Sequence, residues 1–207
     1  DGAFGGVVVF SNKYKKLIKG IENTDSFCFN AHKTLGAPLS TSVLVVKEKK
    51  YLYNSFNNEA SYLYQTHNDD YNPGQTSFEC GRRNNALKFW TMWKSIGTKG
   101  LEKIVDHEFD LAKYAFDYVN SNKDYTLYSF EQSLSICFNY KDYDPVDLCS
   151  LLYKNSVLMV GYGKFREQDF IRLVTINAQN TIKEIESFFR TLEDFCEKNN
   201  NKIKRKN

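Results

Sequence analysis

Asp25-Ser26-Phe27-Cys28-Phe29-Asn30-Ala31-His32-Lys33-Thr34-Leu35-Gly36-Ala37-Pro38-Leu39-Ser40 runs a short apolar strand into a His-Lys pair and then into a Gly/Pro turn. Strand-like runs of the same kind stand on either side, at Val7-Val8-Val9-Phe10 and at Ser42-Val43-Leu44-Val45-Val46. They alternate with polar or helical stretches, the pattern expected where crossover helices cover a mostly parallel sheet, so the first half reads as α/β. Lys33 has an unusual setting in this pattern. A lysine flanked by apolar strands has its ammonium desolvated, which makes the neutral amine available to form a Schiff base with a carbonyl. An ordinary loop lysine is the alternative that the residues alone leave open.

Further along, Ala86, Phe89, Trp90 and Trp93 fall at helical spacing over 81–97 and predict a stripe facing a core. Gly97-Thr98-Lys99-Gly100 ends that helix, and Leu101, Ile104, Val105, Leu111, Ala112, Ala115 and Val119 predict a second long amphipathic helix. Strands are then expected at 126–129, 134–140, 156–160 and 170–176, with a short helix over 146–154. A last helix starts near the cap residue Thr181, with Ile182, Ile185, Phe189, Leu192 and Cys196 on one face to cover a small sheet. The tail 199–207 is polar, with Lys202, Lys204, Arg205 and Lys206, and reads as a frayed, solvated terminus.

Composition narrows the function classes. In 207 residues, 42% are apolar and 15% aromatic, which excludes disorder over most of the length. A net charge of +3 is too small to imply nucleic acid. The longest aliphatic runs are four residues, against the ~18 that would suggest a membrane span. Cys28, Cys80, Cys137, Cys149 and Cys196 are odd in number and hold no C-x-x-C pair, which argues against a disulfide framework and a metal site. They read as reduced thiols in a cytoplasmic protein. Asp1-Gly2-Ala3-Phe4-Gly5-Gly6 has neither basic nor apolar region of a signal peptide.

The run Asn30-Ala31-His32-Lys33, followed by Leu35-Gly36-Ala37-Pro38-Leu39, resembles the N-P-H-K segment of the pyridoxal-phosphate-dependent group II amino acid decarboxylases, in which the lysine holds the cofactor. The resemblance is strongest to the branch acting on glutamate, cysteine sulfinate and related acidic amino acids. Asp1-Gly2-Ala3-Phe4-Gly5-Gly6 is similar to that family's D-A-A-W/Y-G-G segment and stands 32 positions before Lys33, the family's ungapped separation. Residues 60–65, 79–83, 87–94 and 97–102 resemble successive blocks of the family in the same order.

The resemblance implies an α/β fold: residues 1–98 as the C-terminal part of the large domain of a fold type I, aspartate aminotransferase-like enzyme, 99–198 as a small C-terminal α+β domain, and 199–207 as a tail. It implies pyridoxal 5'-phosphate as cofactor, a small acidic amino acid as substrate, a homodimer, and no nucleic-acid or membrane partner. Lys33 would join the cofactor, Asp1 would pair with its ring nitrogen, and His32 would contact the cofactor region. Tyr71, in the polar Pro/Gly loop 67–75, would return a proton to the substrate carbon, and Arg172 would bind the substrate carboxylate. Read without the family, Asp1 is a solvated end, His32 a packed histidine, Tyr71 a loop aromatic and Arg172 half of a structural ion pair.

Two departures stand out. Ala31 replaces the family's usual Pro, and Leu39-Ser40-Thr41-Ser42 replaces the L-Q-C-S of many acidic-substrate members. Diaminobutyrate or an aromatic amino acid therefore remains the runner-up substrate. The family's cofactor domain begins before the position matched by Asp1, so the chain reads as a C-terminal fragment. A non-catalytic dimerisation module is the rival from another class.

Overall fold

Phe27 and Phe29 sit on a five-residue strand, β1 (Ser26–Asn30), which pairs antiparallel with β2 (Ser42–Val46) from Ser26↔Val46 to Asn30↔Ser42. The parallel arrangement expected for these two runs is not formed. Only residues 31–41 connect them, without a helix, and a parallel crossover needs a dozen residues or more. The computed structural model describes residues 1–57, 62, 73–79 and 81–206, and the chain divides into two units, Asp1–Leu101 and Glu102–Asn207.

In the first unit, the expected strand at 7–10 is instead a 3₁₀ helix, Gly5–Phe10, with Gly6, Val7 and Val8 buried. Four apolar residues bury equally well as a strand or as a helical turn, and periodicity over so short a run cannot separate the two. Here the Gly6 amide donates to the Gly2 carbonyl at 2.8 Å and turns the chain into the helical path. Helix α1 (Lys49–Phe56), with no buried residue, was not anticipated.

Helix α2 (Asn85–Ser121) contains both predicted helices, and its helical backbone is interrupted at Gly97, whose φ of 68° suits a residue without Cβ. Ahead of that point Phe89 is buried against Phe10 and Phe29, with ring centroids 6.4 and 6.1 Å apart, and Trp93 packs edge-on to Phe10 at 5.1 Å. Trp90, placed on the same stripe by its spacing, is exposed.

The second unit is helices on an antiparallel sheet of order β3-β4-β6-β5, made of β3 (Tyr125–Leu127), β4 (Ser135–Tyr140), β5 (Gly161–Phe165) and β6 (Gln168–Val174). Ile136, Phe138 and Tyr140 alternate along β4 and are all buried. Helix α4 (Ile182–Lys198) starts at Thr181 with a reciprocal cap, in which the Thr181 hydroxyl accepts from a backbone amide and Glu184 accepts from the Thr181 amide. It buries Ile185, Phe189, Leu192, Phe195 and Cys196; Phe189 stacks on Tyr118 at 4.2 Å and meets Phe138 at 5.7 Å.

Helix α3 (Pro145–Lys154) ends in a Schellman turn: the Ser156 amide donates to Tyr153 and the Val157 amide to Leu152, with Ser156 at φ 55°. That turn consumes part of the expected strand 156–160, and the strand begins only at Gly161. The tail is not frayed. Ile203 is buried, the Lys206 amide donates to the Asp142 carbonyl, and Lys204 accepts from the Asp144 amide. One apolar side chain and backbone pairing to 142–144 outweigh the polar composition. Among the described residues no helix is long and apolar enough to cross a membrane.

Candidate active site

The turn after β1 is anchored from inside. Ala31, Thr34 and Leu35 are at most 2% exposed, so the residues between and beside them are fixed while Lys33 stays half-buried at the rim. The Lys33 amide donates to the Asn30 carbonyl, the Gly36 amide to Lys33, and the Ala37 amide to Ala31, each at 3.0 Å. Gly36, at φ 68°, makes the reversal. Among the described residues Nζ of Lys33 has no hydrogen-bond or ion-pair partner; it lies 4.4 Å from the centroid of the Phe4 ring.

His32 is held by Thr41. Its backbone amide donates to the Thr41 carbonyl at 3.2 Å, and its Nδ1 lies 3.0 Å from the Thr41 amide and 2.8 Å from the Thr41 carbonyl. Nδ1 accepts from the amide in one tautomer and donates to the carbonyl in the other, so both fix the ring plane.

Residues 1–4 lie along β1. The Gly2 amide donates to Cys28 at 2.8 Å, the Asn30 amide to Ala3 at 3.4 Å, and the Thr34 hydroxyl to the Phe4 carbonyl at 2.9 Å. A Cβ on Gly2 would come within 2.9 Å of the Cys28 carbonyl oxygen, and one on Gly6 within 2.7 Å of the Phe27 ring. Glycine at both places is what permits this close approach. The Asp1 carboxylate accepts from the Ala3 amide at 2.8 Å, with the Cys28 thiol 4.0 Å away. Asp1, His32 and Lys33 are thus brought to one strand and its following turn.

Arg172 belongs to the second unit. It lies on β6 with Cys137 opposite it on β4 and Gly161 opposite it on β5, and is half-buried. Its Nε and Nη2 donate to the Ser135 hydroxyl at 3.3 and 3.1 Å. Ser135 is itself fixed, its amide donating to the Ser133 hydroxyl and its carbonyl accepting from Ser129 and Ser133. Tyr71 lies outside the described residues, as does Cys80.

Phe4, Thr41 and Ser135 were not singled out by sequence reading. Phe4 sat in view as the aromatic of the 1–6 block, whereas nothing in the local sequence marks Thr41 or Ser135 as partners of residues 9 and 37 positions away.

The donor set fits pyridoxal phosphate at two points. A primary amine without an ion-pair partner among the described residues can bind the aldehyde carbon, and a carboxylate can hold the proton of a pyridine nitrogen.

Comparison with known proteins supports pyridoxal phosphate as the cofactor. The family model described as the pyridoxal-dependent decarboxylase conserved domain matches residues 1–141. The chain is 32% identical to acidic amino acid decarboxylase GADL1 of Homo sapiens, over 86% of this chain and 39% of that one. It is 30% identical to cysteine sulfinic acid decarboxylase of Homo sapiens, over 93% of this chain and 44% of that one. The crystal structure of mouse CSAD superposes with a TM-score of 0.80 at 27% identity, over 92% of this chain and 44% of that one. The chain therefore spans less than half the length of these relatives.

Proposed function

The chain belongs to the pyridoxal-dependent decarboxylase family, and from this we propose that the protein decarboxylates a small acidic L-amino acid such as glutamate, cysteine sulfinate or aspartate, releasing carbon dioxide and an amine. The observation that carries the reading is the Lys33 amine, set without a polar partner among the described residues in the turn that follows β1, the strand along which residues 2 and 3 are bonded beside Asp1. When bound, pyridoxal phosphate supplies an aldehyde for amines and a ring that takes up the electron pair left at the substrate carbon.

Each residue has a task in this scheme. Lys33 would hold the cofactor at its aldehyde carbon, where the substrate amine would take its place. Asp1 keeps the ring nitrogen protonated, with its own orientation set by the Ala3 amide. His32, its ring plane fixed by Thr41, packs beside the cofactor. Arg172 presents a planar fork to the substrate carboxylate, steadied by Ser135. Tyr71 delivers the proton to the substrate carbon after carbon dioxide leaves.

In the same scheme residues 1–98 complete a cofactor-binding domain and 99–198 form the small domain. The protein is a cytoplasmic homodimer.

The test is release of labelled carbon dioxide from carboxyl-labelled amino acids by the full-length protein supplied with pyridoxal phosphate. Release from glutamate, cysteine sulfinate or aspartate in preference to diaminobutyrate and aromatic amino acids is expected. Release from the latter alone overturns the acidic substrate, and release from none overturns the decarboxylase.

A further inference from the structure

We propose that Phe4 is a positioning residue whose ring face is the resting place of the Lys33 ammonium whenever that lysine is not joined to an aldehyde. The inference rests on the decarboxylase reading above and deepens it. Three observations carry it. Nζ of Lys33 lies 4.4 Å from the Phe4 ring centroid and has no hydrogen-bond or ion-pair partner among the described residues. The Phe4 backbone is tied to the residue next to Lys33 by the Thr34 hydroxyl at 2.9 Å. Gly2 and Gly6 on either side of Phe4 pack too closely on β1 for any side chain, so the segment that presents the ring is fixed.

An aromatic face attracts the compact charge of an ammonium more strongly than an imine nitrogen, whose proton and charge are shared with the group it is conjugated to. The relevant step is exchange of one carbon–nitrogen double bond for another. An incoming ammonium R–NH₃⁺ reacts with Lys33–N=CH– to give R–N=CH– and Lys33–NH₃⁺, so one C=N forms, one breaks, and the protons of the incoming ammonium end on the lysine. The ring stabilises the right-hand side, with its full ammonium charge on Lys33, more than the left. Phe4 thereby favours release of the lysine when an amine arrives, by about two- to fivefold for a cation–π contact at a partly exposed site.

The experiment uses the full-length protein with pyridoxal phosphate and methylamine, an amine that cannot be decarboxylated and has no carboxylate for Arg172. Borohydride reduction at each methylamine concentration, followed by peptide mass mapping, gives the fraction of Lys33 still carrying the pyridoxyl group. Phe4→Leu, which keeps bulk and loses the aromatic face, should raise the methylamine midpoint about two- to fivefold, and Phe4→Trp, a stronger cation binder, should lower it. An unchanged midpoint in Phe4→Leu overturns the proposal. If Phe4→Leu does not fold, Phe4→Trp decides alone: a lower midpoint supports the proposal, and an unchanged or higher one overturns it. Absence of any Lys33 adduct in the unaltered protein would instead overturn the decarboxylase reading.

Discussion

The turn bearing Lys33 and the strand bearing Arg172 hold their cations by opposite means. Around Lys33 the anchors are buried Ala31 and Leu35, backbone bonds and the Thr34 hydroxyl, and among the described residues the ammonium meets only an aromatic face. Arg172 is held by a polar partner, Ser135, which two further serines keep in place. In the nucleophilic role proposed for Lys33, the lack of a carboxylate partner among the described residues is an advantage, because an ion pair would stabilise the ammonium more than an aromatic face does. A guanidinium that only binds charge loses nothing by being oriented through its own donors. The difference teaches that the two cations sit in packing suited to the distinct roles proposed for them, covalent for Lys33 and electrostatic for Arg172.

The strongest way to break the comparison is to remove the amine. Lys33→Ala should lower the turnover of the full-length protein by about a thousandfold or more, since it removes the proposed covalent anchor. Arg172→Lys should act differently, keeping the charge and losing the fork. Its expected signature in steady-state kinetics is a KM for the amino acid raised by about ten- to a hundredfold with a smaller change in kcat.

The two units can also be set against each other by pH. Glu108, on α2 in the second unit, is fully buried, neither carboxylate oxygen has a hydrogen-bond partner among the described residues, and burial pushes its acid up to about 9. An unfolded carboxyl titrates near 4.5, so between these values the folded state holds a proton that the unfolded state has lost. Its contribution is full below pH 4.5 and is lost as pH rises through about 9, at about 1.4 kcal/mol per pH unit. Thermal melts across that window should show the second unit weakening toward alkaline pH, and Glu108→Gln should flatten the slope. Gly2→Ala, by contrast, should lower the first unit's stability by about 1–3 kcal/mol at every pH, read by hydrogen exchange on β1. Smallest is Ser135→Ala, which removes one acceptor of Arg172 and should cost about fivefold in KM, with rescue by Ser135→Thr.

How much of this was legible in the sequence depended on the range of the interaction that decides each element. Helix α4 was readable because its cap, its Glu at the third position and its apolar stripe all lie within the element. The bounds of β2 were legible for the same reason. The runs at 7–10 and 156–160 were misread because each is settled outside its own pattern, the first by a bond back to Gly2 and the second by the end of α3. The pairing direction of β1 and β2 was legible in the length of the link, which the alternation of strands and helices overrode. For the proposed site, the meeting of Lys33, His32 and Asp1 at one strand and its following turn was legible because they lie in two short motifs at a fixed separation. The partners that orient the site, Thr41 and Ser135, come from turns and neighbouring strands, and only the fold assembles them.

The central claim is that Lys33 is the residue that takes the cofactor. The most direct test is to add pyridoxal phosphate to the full-length protein, reduce with borohydride and locate the pyridoxyl group by peptide mapping. The account predicts that the group is found on Lys33, while the other lysines stay unmodified at stoichiometric cofactor. A modification spread over surface lysines with Lys33 untouched would contradict it.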